Sequence, residues 1–155
     1  MDYDKVLKLL GALHQHAVEY VLVGAVAMGV LGIGRGTRDL DLFVAPNESN
    51  IEKLKNALRS VWDDPEIDGI RYDEIAGEYP TIRYIPPDES FMIDLITRLG
   101  EAVRFEDLEW QEEQVDGVRV RTATPMTLYK MKRDTIRPQD RVDAANLKAK
   151  FRLEG

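Results

Sequence analysis

The chain of 155 residues contains no cysteine, so it has no disulfide, no thiolate zinc site and no thiol nucleophile. Its longest stretch without a charged residue, Tyr20 to Gly34, has 15 residues and is shorter than the ~20 that a membrane-spanning helix needs. The first residues, Met1 to Asp4, are acidic where a secretory signal is basic. These absences favour one soluble domain over residues 1–155, with no membrane association, and we expect it in the cytoplasm.

Positive charge is also scarce, because 21 Lys and Arg residues stand against 28 Asp and Glu residues and the net charge is −7. A general DNA-binding protein needs a basic surface, so we expect no general DNA binding. The segment from Tyr129 to Arg152 is the exception, with eight basic and three acidic residues. Such a segment can meet a polyphosphate or a tRNA locally, or it can be an ordinary solvated helix face.

The two common glycine motifs of nucleotide-binding proteins are missing. Val26 stands where a G-x-G-x-x-G motif starting at Gly24 needs its second glycine, and no glycine is followed by Lys and then Ser or Thr, as in a P-loop. What remains is Gly24 at the corner between a predicted strand, Tyr20 to Val23, and a predicted helix from Ala25 to about Leu31. The free backbone N–H groups of such a corner can hold a phosphate.

Aspartates occur at strand spacing in two places. The segment from Thr37 to Val44 alternates polar and apolar residues, so Asp39 and Asp41 are predicted to point to the same face of a strand. Asp94 is the only charge in the predicted strand Phe91 to Ile96, where burial is costly without a cation or hydrogen-bond donors. Singly, Asp39 could pair with a neighbouring Arg38 and Asp41 could be an edge-strand charge. Together with Asp94 they favour a site for hard cations.

The remaining patterns predict an α/β domain in which a short mixed β-sheet is flanked by helices. The core is expected over about 20–122, and a C-terminal helical pair over about 124–151. Helices are predicted at 3–18, 49–62, 124 to about 135 and 138 to about 151, strands at 70–75, 81–85, 110–115 and 118–122, and a helical turn at 104–108.

The order of these features resembles the polymerase-β-like nucleotidyltransferase superfamily, and within it the minimal bacterial enzymes of the abortive-infection toxin type. The resemblance covers about Tyr20 to Leu147. It is carried by Gly24-Ala25, by Asp39-x-Asp41, by Asp94 and by a C-terminal pattern that reads Met131-Lys132, Arg137, Asp140 and Asp143.

The resemblance implies the nucleotidyltransferase fold and the transfer of a nucleoside monophosphate from an NTP, ATP among them, to a hydroxyl of a protein, a tRNA or a small molecule. It implies two Mg²⁺ ions, or Mn²⁺, held by the catalytic residues Asp39, Asp41 and Asp94, with Asp94 helping to remove a proton. It also implies a toxin–antitoxin system with a cognate partner protein. The nucleotide-binding residues it implies are Gly24, Ala25, Lys132, Arg137 and Arg38, with Arg35 as an alternative to Arg38.

One position departs from the family pattern. Ala25 stands where the family has glycine or serine, so the backbone N–H is kept but the serine hydroxyl is lost. Two alternatives to an active enzyme therefore stay open. One is a catalytically degenerate module that binds a nucleotide or a partner in the manner of an antitoxin, and the other is a purely structural partner-binding domain.

Overall fold

A computed structural model describes residues 1–34, 36–100 and 103–154 of the chain. Its helices are α1 (Tyr3–Gln15), α2 (Gly24–Val30), α3 (Glu48–Val61), α4 (Tyr72–Ile75), α5 (Pro125–Lys132) and α6 (Pro138–Phe151). Its strands are β1 (Tyr20–Val23), β2 (Asp39–Val44), β3 (Thr81–Tyr84), β4 (Met92–Ile96), β5 (Arg98–Leu99), β6 (Val103–Arg104), β7 (Trp110–Val115) and β8 (Val118–Ala123).

Six of the strands form one mixed sheet in the order β3-β4-β2-β1-β8-β7. The central pairs β2–β4 and β1–β8 are parallel, whereas β1–β2, β3–β4 and β7–β8 are antiparallel. Helix α1 packs against α3 and β8, and α5 packs against α6 and β8. The predicted fold class, a mixed sheet flanked by helices with a C-terminal helical pair, is confirmed.

The central strands are among the most deeply buried parts of the chain. All four residues of β1 are buried, and in β2 the apolar residues Leu40 and Leu42 are buried while Asp39 and Asp41 are only partly exposed. Burial of each such apolar side chain contributes about 1.5–3 kcal/mol to stability. The polar positions of β2 are therefore held on one face by the packing of their neighbours on the other.

Local signals set most helix starts. The Asn47 side chain accepts a hydrogen bond from Asn50 N at 2.8 Å at the start of α3, and Thr124 accepts one from Thr127 N at 3.2 Å before Pro125 opens α5.

The turn between β7 and β8 is the predicted hairpin. Asp116 and Gly117 both have positive φ angles there, as a two-residue hairpin turn of this sequence requires.

Three predicted elements differ from the structure. Helix α1, predicted over 3–18, ends at Gln15 because the chain turns at Ala17, which has a positive φ of 56°. The strand expected at 70–75 is instead the short helix α4, in which Ile75 N donates to Arg71 O at 3.1 Å and acidic residues fill the first turn. Helix α5 ends at Lys132, not near Thr135, because the Thr135 backbone and hydroxyl both turn back to the Lys132 carbonyl. The short pair β5–β6 was not predicted.

No helix in the described parts of the chain is long and apolar enough to cross a membrane.

Candidate active site

The predicted aspartates meet in one row that crosses four neighbouring strands. In the register of the sheet Asp41 lies opposite Val23 on one side and opposite Asp94 on the other, and Asp94 lies opposite Arg83. Directly paired residues of neighbouring strands share a face of the sheet. Asp39, two residues before Asp41, shares that face as well.

The row forms the floor of a cleft of about 550 Å³. Helices α5 and α6 and the loop between them contribute the other side, and the lining includes apolar as well as charged side chains. The lining comprises Val23, Gly24, Ala25, Thr37, Asp39, Asp41, Arg83, Asp94, Ile96, Leu99, Leu128, Met131, Lys132, Thr135, Arg137, Gln139 and Asp140.

Asp41 has the most perturbed carboxyl group of the cleft. Burial, followed by the charge of Asp94, a hydrogen bond with Asp94 and the charge of Asp39, raises the pKa of Asp41 from 3.8 to about 7. Two carboxylates that share a site cannot both ionise cheaply. The arrangement therefore favours either a bound proton or a bound cation.

Asp39 adds an unsatisfied acceptor to this arrangement. Its Oδ1 atom is buried and has no hydrogen-bond partner among the described residues, and Nη2 of Arg83 lies 3.6 Å from it. A buried acceptor without a partner is costly, so a native structure usually supplies one. Mg²⁺ and Mn²⁺ prefer carboxylate oxygens, and the donor set of Asp39, Asp41 and Asp94 fits such a cation.

The guanidinium of Arg83 pairs with two of the same carboxylates. It donates from Nε to Asp94 Oδ1 at 2.9 Å and from Nη2 to Asp94 Oδ2 at 3.1 Å. In this arrangement, no group of three or more carboxylate or imidazole side chains within residues 1–34, 36–100 and 103–154 is spaced to hold a metal ion. The carboxylates of Asp39, Asp41 and Asp94 are suitable cation ligands and lie on one face of the sheet, but in this structure Asp94 is paired with Arg83.

The strand-to-helix corner approaches the carboxylates closely. Gly24 has a φ of +74°, and a β-carbon there would overlap the Asp41 carboxylate. The first amides of a helix have no partner within it, and the start of α2 has no side-chain cap. Glycine is therefore required at this corner by both backbone conformation and space, and Ala25, which is buried, follows it in the cleft wall.

Lys132 is buried on the far wall of the cleft. Its ammonium group donates to Asp143 Oδ2 at 2.8 Å and to Asp140 Oδ1 at 3.4 Å. Three charged groups that are each at least nine-tenths buried thus join α5 to α6. The ion pairs give Lys132 a structural role, and its predicted contact with the phosphates stays a prediction.

Arg137 reaches the same network from the loop between α5 and α6. It makes a bidentate pair with Asp140, with Nε at 2.8 Å and Nη2 at 3.3 Å from its two oxygens, while its own side chain remains 78% exposed. Burial by itself raises the pKa of Asp140, but hydrogen bonds from Arg137 and Thr135 and the charge of Lys132 hold it below its ordinary value. Arg137 thus pairs with the first turn of α6 and, as part of the cleft lining, keeps an exposed cationic edge, where its predicted nucleotide contact stays a prediction.

Two further arginines, Arg38 and Arg35, were predicted to contact the nucleotide. Arg38 is exposed and is not part of the cleft lining, so its predicted nucleotide contact stays a prediction. Arg35 falls outside the described residues. Sequence reasoning missed Arg83 altogether, although its strand precedes β4 by a short loop and alternation places it on the face of Asp94.

A family profile described as the nucleotidyl transferase AbiEii toxin of type IV TA systems matches residues 8–143. No match is found among curated protein sequences.

Two solved structures share the fold at low identity. A protein from Thermotoga maritima assigned as a nucleotidyltransferase aligns with a TM-score of 0.58 at 13% identity, over 97% of this chain and 92% of that chain. The enzyme ANT(2'')-Ia in complex with adenylyl-2''-tobramycin aligns with a TM-score of 0.56 at 13% identity, over 96% of this chain and 87% of that chain. At this identity the structural likeness concerns the fold alone.

Proposed function

The chain belongs to the AbiEii nucleotidyltransferase family, described as toxins of type IV toxin–antitoxin systems, and we propose that it transfers a nucleoside monophosphate from an NTP to a hydroxyl acceptor in a Mg²⁺-dependent reaction. The observation that carries the proposal is the row of Asp41, Asp94 and the neighbouring Asp39 in register on one face of the sheet, beside Gly24. Asp39 Oδ1 has no hydrogen-bond partner in the part of the chain that the structure describes, and the pKa of Asp41 is raised; both observations support a cation at this row.

In the proposed reaction the acceptor oxygen forms a bond to the α-phosphorus, and the bond from that phosphorus to the β-phosphate bridging oxygen breaks, so pyrophosphate leaves. Two bound Mg²⁺ ions, or Mn²⁺, would stabilise the charge on the attacking and leaving oxygens. Asp39, Asp41 and Asp94 would hold these ions. Asp94 lies at the floor of the cleft, where it could also accept the proton of the acceptor hydroxyl. The backbone N–H groups of Gly24 and Ala25 bind the terminal phosphates.

On the helical wall opposite the aspartates, Arg137 is the candidate for a contact with the triphosphate, because its guanidinium keeps an exposed edge. The ammonium group of Lys132 is already paired with Asp140 and Asp143, so a contact with the phosphates would require one of these pairs to open. A bidentate guanidinium suits a phosphate well. The acceptor is a hydroxyl of a protein, a tRNA or a small molecule, and the toxin–antitoxin family favours a cognate partner protein.

The test uses each NTP labelled either at the α- or at the γ-phosphate, incubated with protein and with RNA, protein or small-molecule fractions. Nucleotidyl transfer places only the α-label on an acceptor, needs Mg²⁺ and releases pyrophosphate. We expect the double variant Asp39→Asn with Asp41→Asn to lose at least about 100-fold in rate while staying folded. Asp63→Asn, which neutralises an exposed aspartate away from the cleft, is the matched control and should keep the parent rate.

Transfer of the γ-label, or an unchanged rate in the double variant, would contradict the proposal. The alternative is a module that binds a nucleotide or partner without turnover. It is favoured by Ala25 in place of a hydroxyl-bearing serine and by the pairing of Arg83 with Asp94. That alternative predicts NTP binding with no release of pyrophosphate.

A further inference from the structure

Arg83 reaches the carboxylates of the cleft from an exposed position. It lies on β3, an edge strand of the sheet, and its side chain is 47% exposed, whereas the Asp94 side chain that it pairs with is only 16% exposed. Its guanidinium binds both oxygens of Asp94, contacts the Met92 sulfur at 3.3 Å and lies 3.6 Å from Asp39 Oδ1.

We propose that Arg83 is a positioning residue that competes with the divalent cation for Asp94 and Asp39, holding these carboxylates in the cation-free protein and releasing them when the cation binds. The proposal rests on the proposed function, because it takes the three aspartates to be cation ligands. It adds a residue that the family resemblance did not assign.

The competition follows from the number of acceptor atoms. Each oxygen of Asp94 accepts a hydrogen bond from Arg83, so the guanidinium already occupies part of the acceptor capacity that a cation would use and repels a second positive charge beside it. The other nearby acceptor, Asp39 Oδ1, faces the same guanidinium without a hydrogen bond. A divalent cation that binds the oxygens of Asp94 and Asp39 therefore competes with the guanidinium of Arg83, which is also positively charged.

Release is compatible with the surrounding structure. Arg83 is anchored to the sheet by its backbone pairing with Asp94, so a rotation of its long, exposed side chain leaves the strand in place. The released guanidinium remains in the cleft lining, close to where the proposed triphosphate binds. A planar guanidinium binds phosphate oxygens as readily as carboxylate oxygens, so Arg83 would then contact the nucleotide.

A titration with Mn²⁺ alone tests the proposal without any assay of activity. The electron paramagnetic resonance signal of the free ion measures how much Mn²⁺ is bound. Arg83→Met keeps much of the side-chain volume and removes the competing guanidinium. We expect its Mn²⁺ affinity to rise about tenfold or more, because all molecules of the variant then have carboxylates that are not paired with an arginine. Arg83→Lys keeps the charge but not the bidentate pair, so its affinity should fall between the two. Arg71→Met removes an exposed arginine that pairs with Asp73 away from the cleft and controls for net charge; it should stay within about twofold of the parent.

A melting curve of each variant in EDTA and in Mn²⁺ gives an independent readout. Arg83→Met should melt lower than the parent in EDTA, because three carboxylates then lack their cation, and should gain more from Mn²⁺. An Arg83→Met or Arg83→Lys protein with unchanged or weaker Mn²⁺ affinity would overturn the proposal. Failure of the proposed function looks different: parent and variants would all bind no Mn²⁺, or Asp39→Asn with Asp41→Asn would bind it as the parent does.

Discussion

The raised pKa of Asp41 predicts that neutralising this catalytic candidate stabilises the cation-free protein. The pKa of Asp41 is about 7 in the folded chain, against 3.8 for the ordinary group, chiefly through burial and then through Asp94 and Asp39. A group whose pKa is raised on folding binds its proton more tightly in the folded state. Its ionisation therefore costs the folded state stability as the pH rises from about 4 to about 7.

The size of this cost follows from the pKa change. At roughly 1.4 kcal/mol for each pKa unit, the ionised folded state is penalised by up to about 4 kcal/mol above pH 7. Asn has nearly the shape of the carboxyl and can donate a hydrogen bond to Asp94 as the protonated carboxyl does. We therefore expect Asp41→Asn to raise the free energy of unfolding by about 2–4 kcal/mol near pH 8, and to change it little near pH 4.

Urea unfolding of the parent and Asp41→Asn in EDTA, at several pH values from about 4 to about 8, measures this difference. Asp63→Asn serves as the exposed control, for which we expect a change within about 0.5 kcal/mol at every pH. A saturating divalent cation should narrow the difference in free energy of unfolding between Asp41→Asn and the parent near pH 8, because only the parent has the repulsion between the Asp41 carboxylate and its neighbours that the cation offsets. An Asp41→Asn protein no more stable than the parent near pH 8 would refute the electrostatic reasoning.

Two further substitutions test the walls of the cleft. Lys132→Met should lower the free energy of unfolding by about 3–5 kcal/mol in a urea titration, because buried Asp140 and Asp143 lose the ammonium group that they share; a loss below about 1 kcal/mol would contradict the buried ion-pair network. Gly24→Ala should lower it by at least about 1–2 kcal/mol through the positive φ and weaken Mn²⁺ binding by displacing Asp41. Gly29→Ala, in open space on the same helix, is its control and should be neutral or slightly stabilising; equal effects of the two alanines would rule out the close approach at Gly24.

The parts of the fold that were predictable from the sequence are those with a strong local period or punctuation. The alternation around Asp39 and Asp41, the lone charge of Asp94 in an apolar strand and the Asp116-Gly117 turn each correspond to the predicted element. Each signal is contained within a few residues. The segment 70–75 has no such signal, because Ile70 and Ile75 are its only buried residues and their spacing suits neither period clearly.

The candidate site was predictable where its residues carry their own signal, and not where their role comes from a partner distant in sequence. Arg83 and Asp94 are neighbours only because β3 pairs antiparallel with β4. Lys132 looks like an ordinary basic residue of a charged segment, yet the packing of α5 on α6 buries it against Asp140 and Asp143. Both facts depend on tertiary pairing, which a single sequence does not state.

Calorimetric titration of the parent with each of the four NTPs, in Mg²⁺ and then in EDTA, tests the central claim most directly. We expect at least one NTP to bind in Mg²⁺ and that binding to be lost in EDTA. The Asp39→Asn with Asp41→Asn protein should bind no NTP in either solution. No heat with any NTP in Mg²⁺, or equal binding in Mg²⁺ and in EDTA, would contradict a cation site built from Asp39, Asp41 and Asp94.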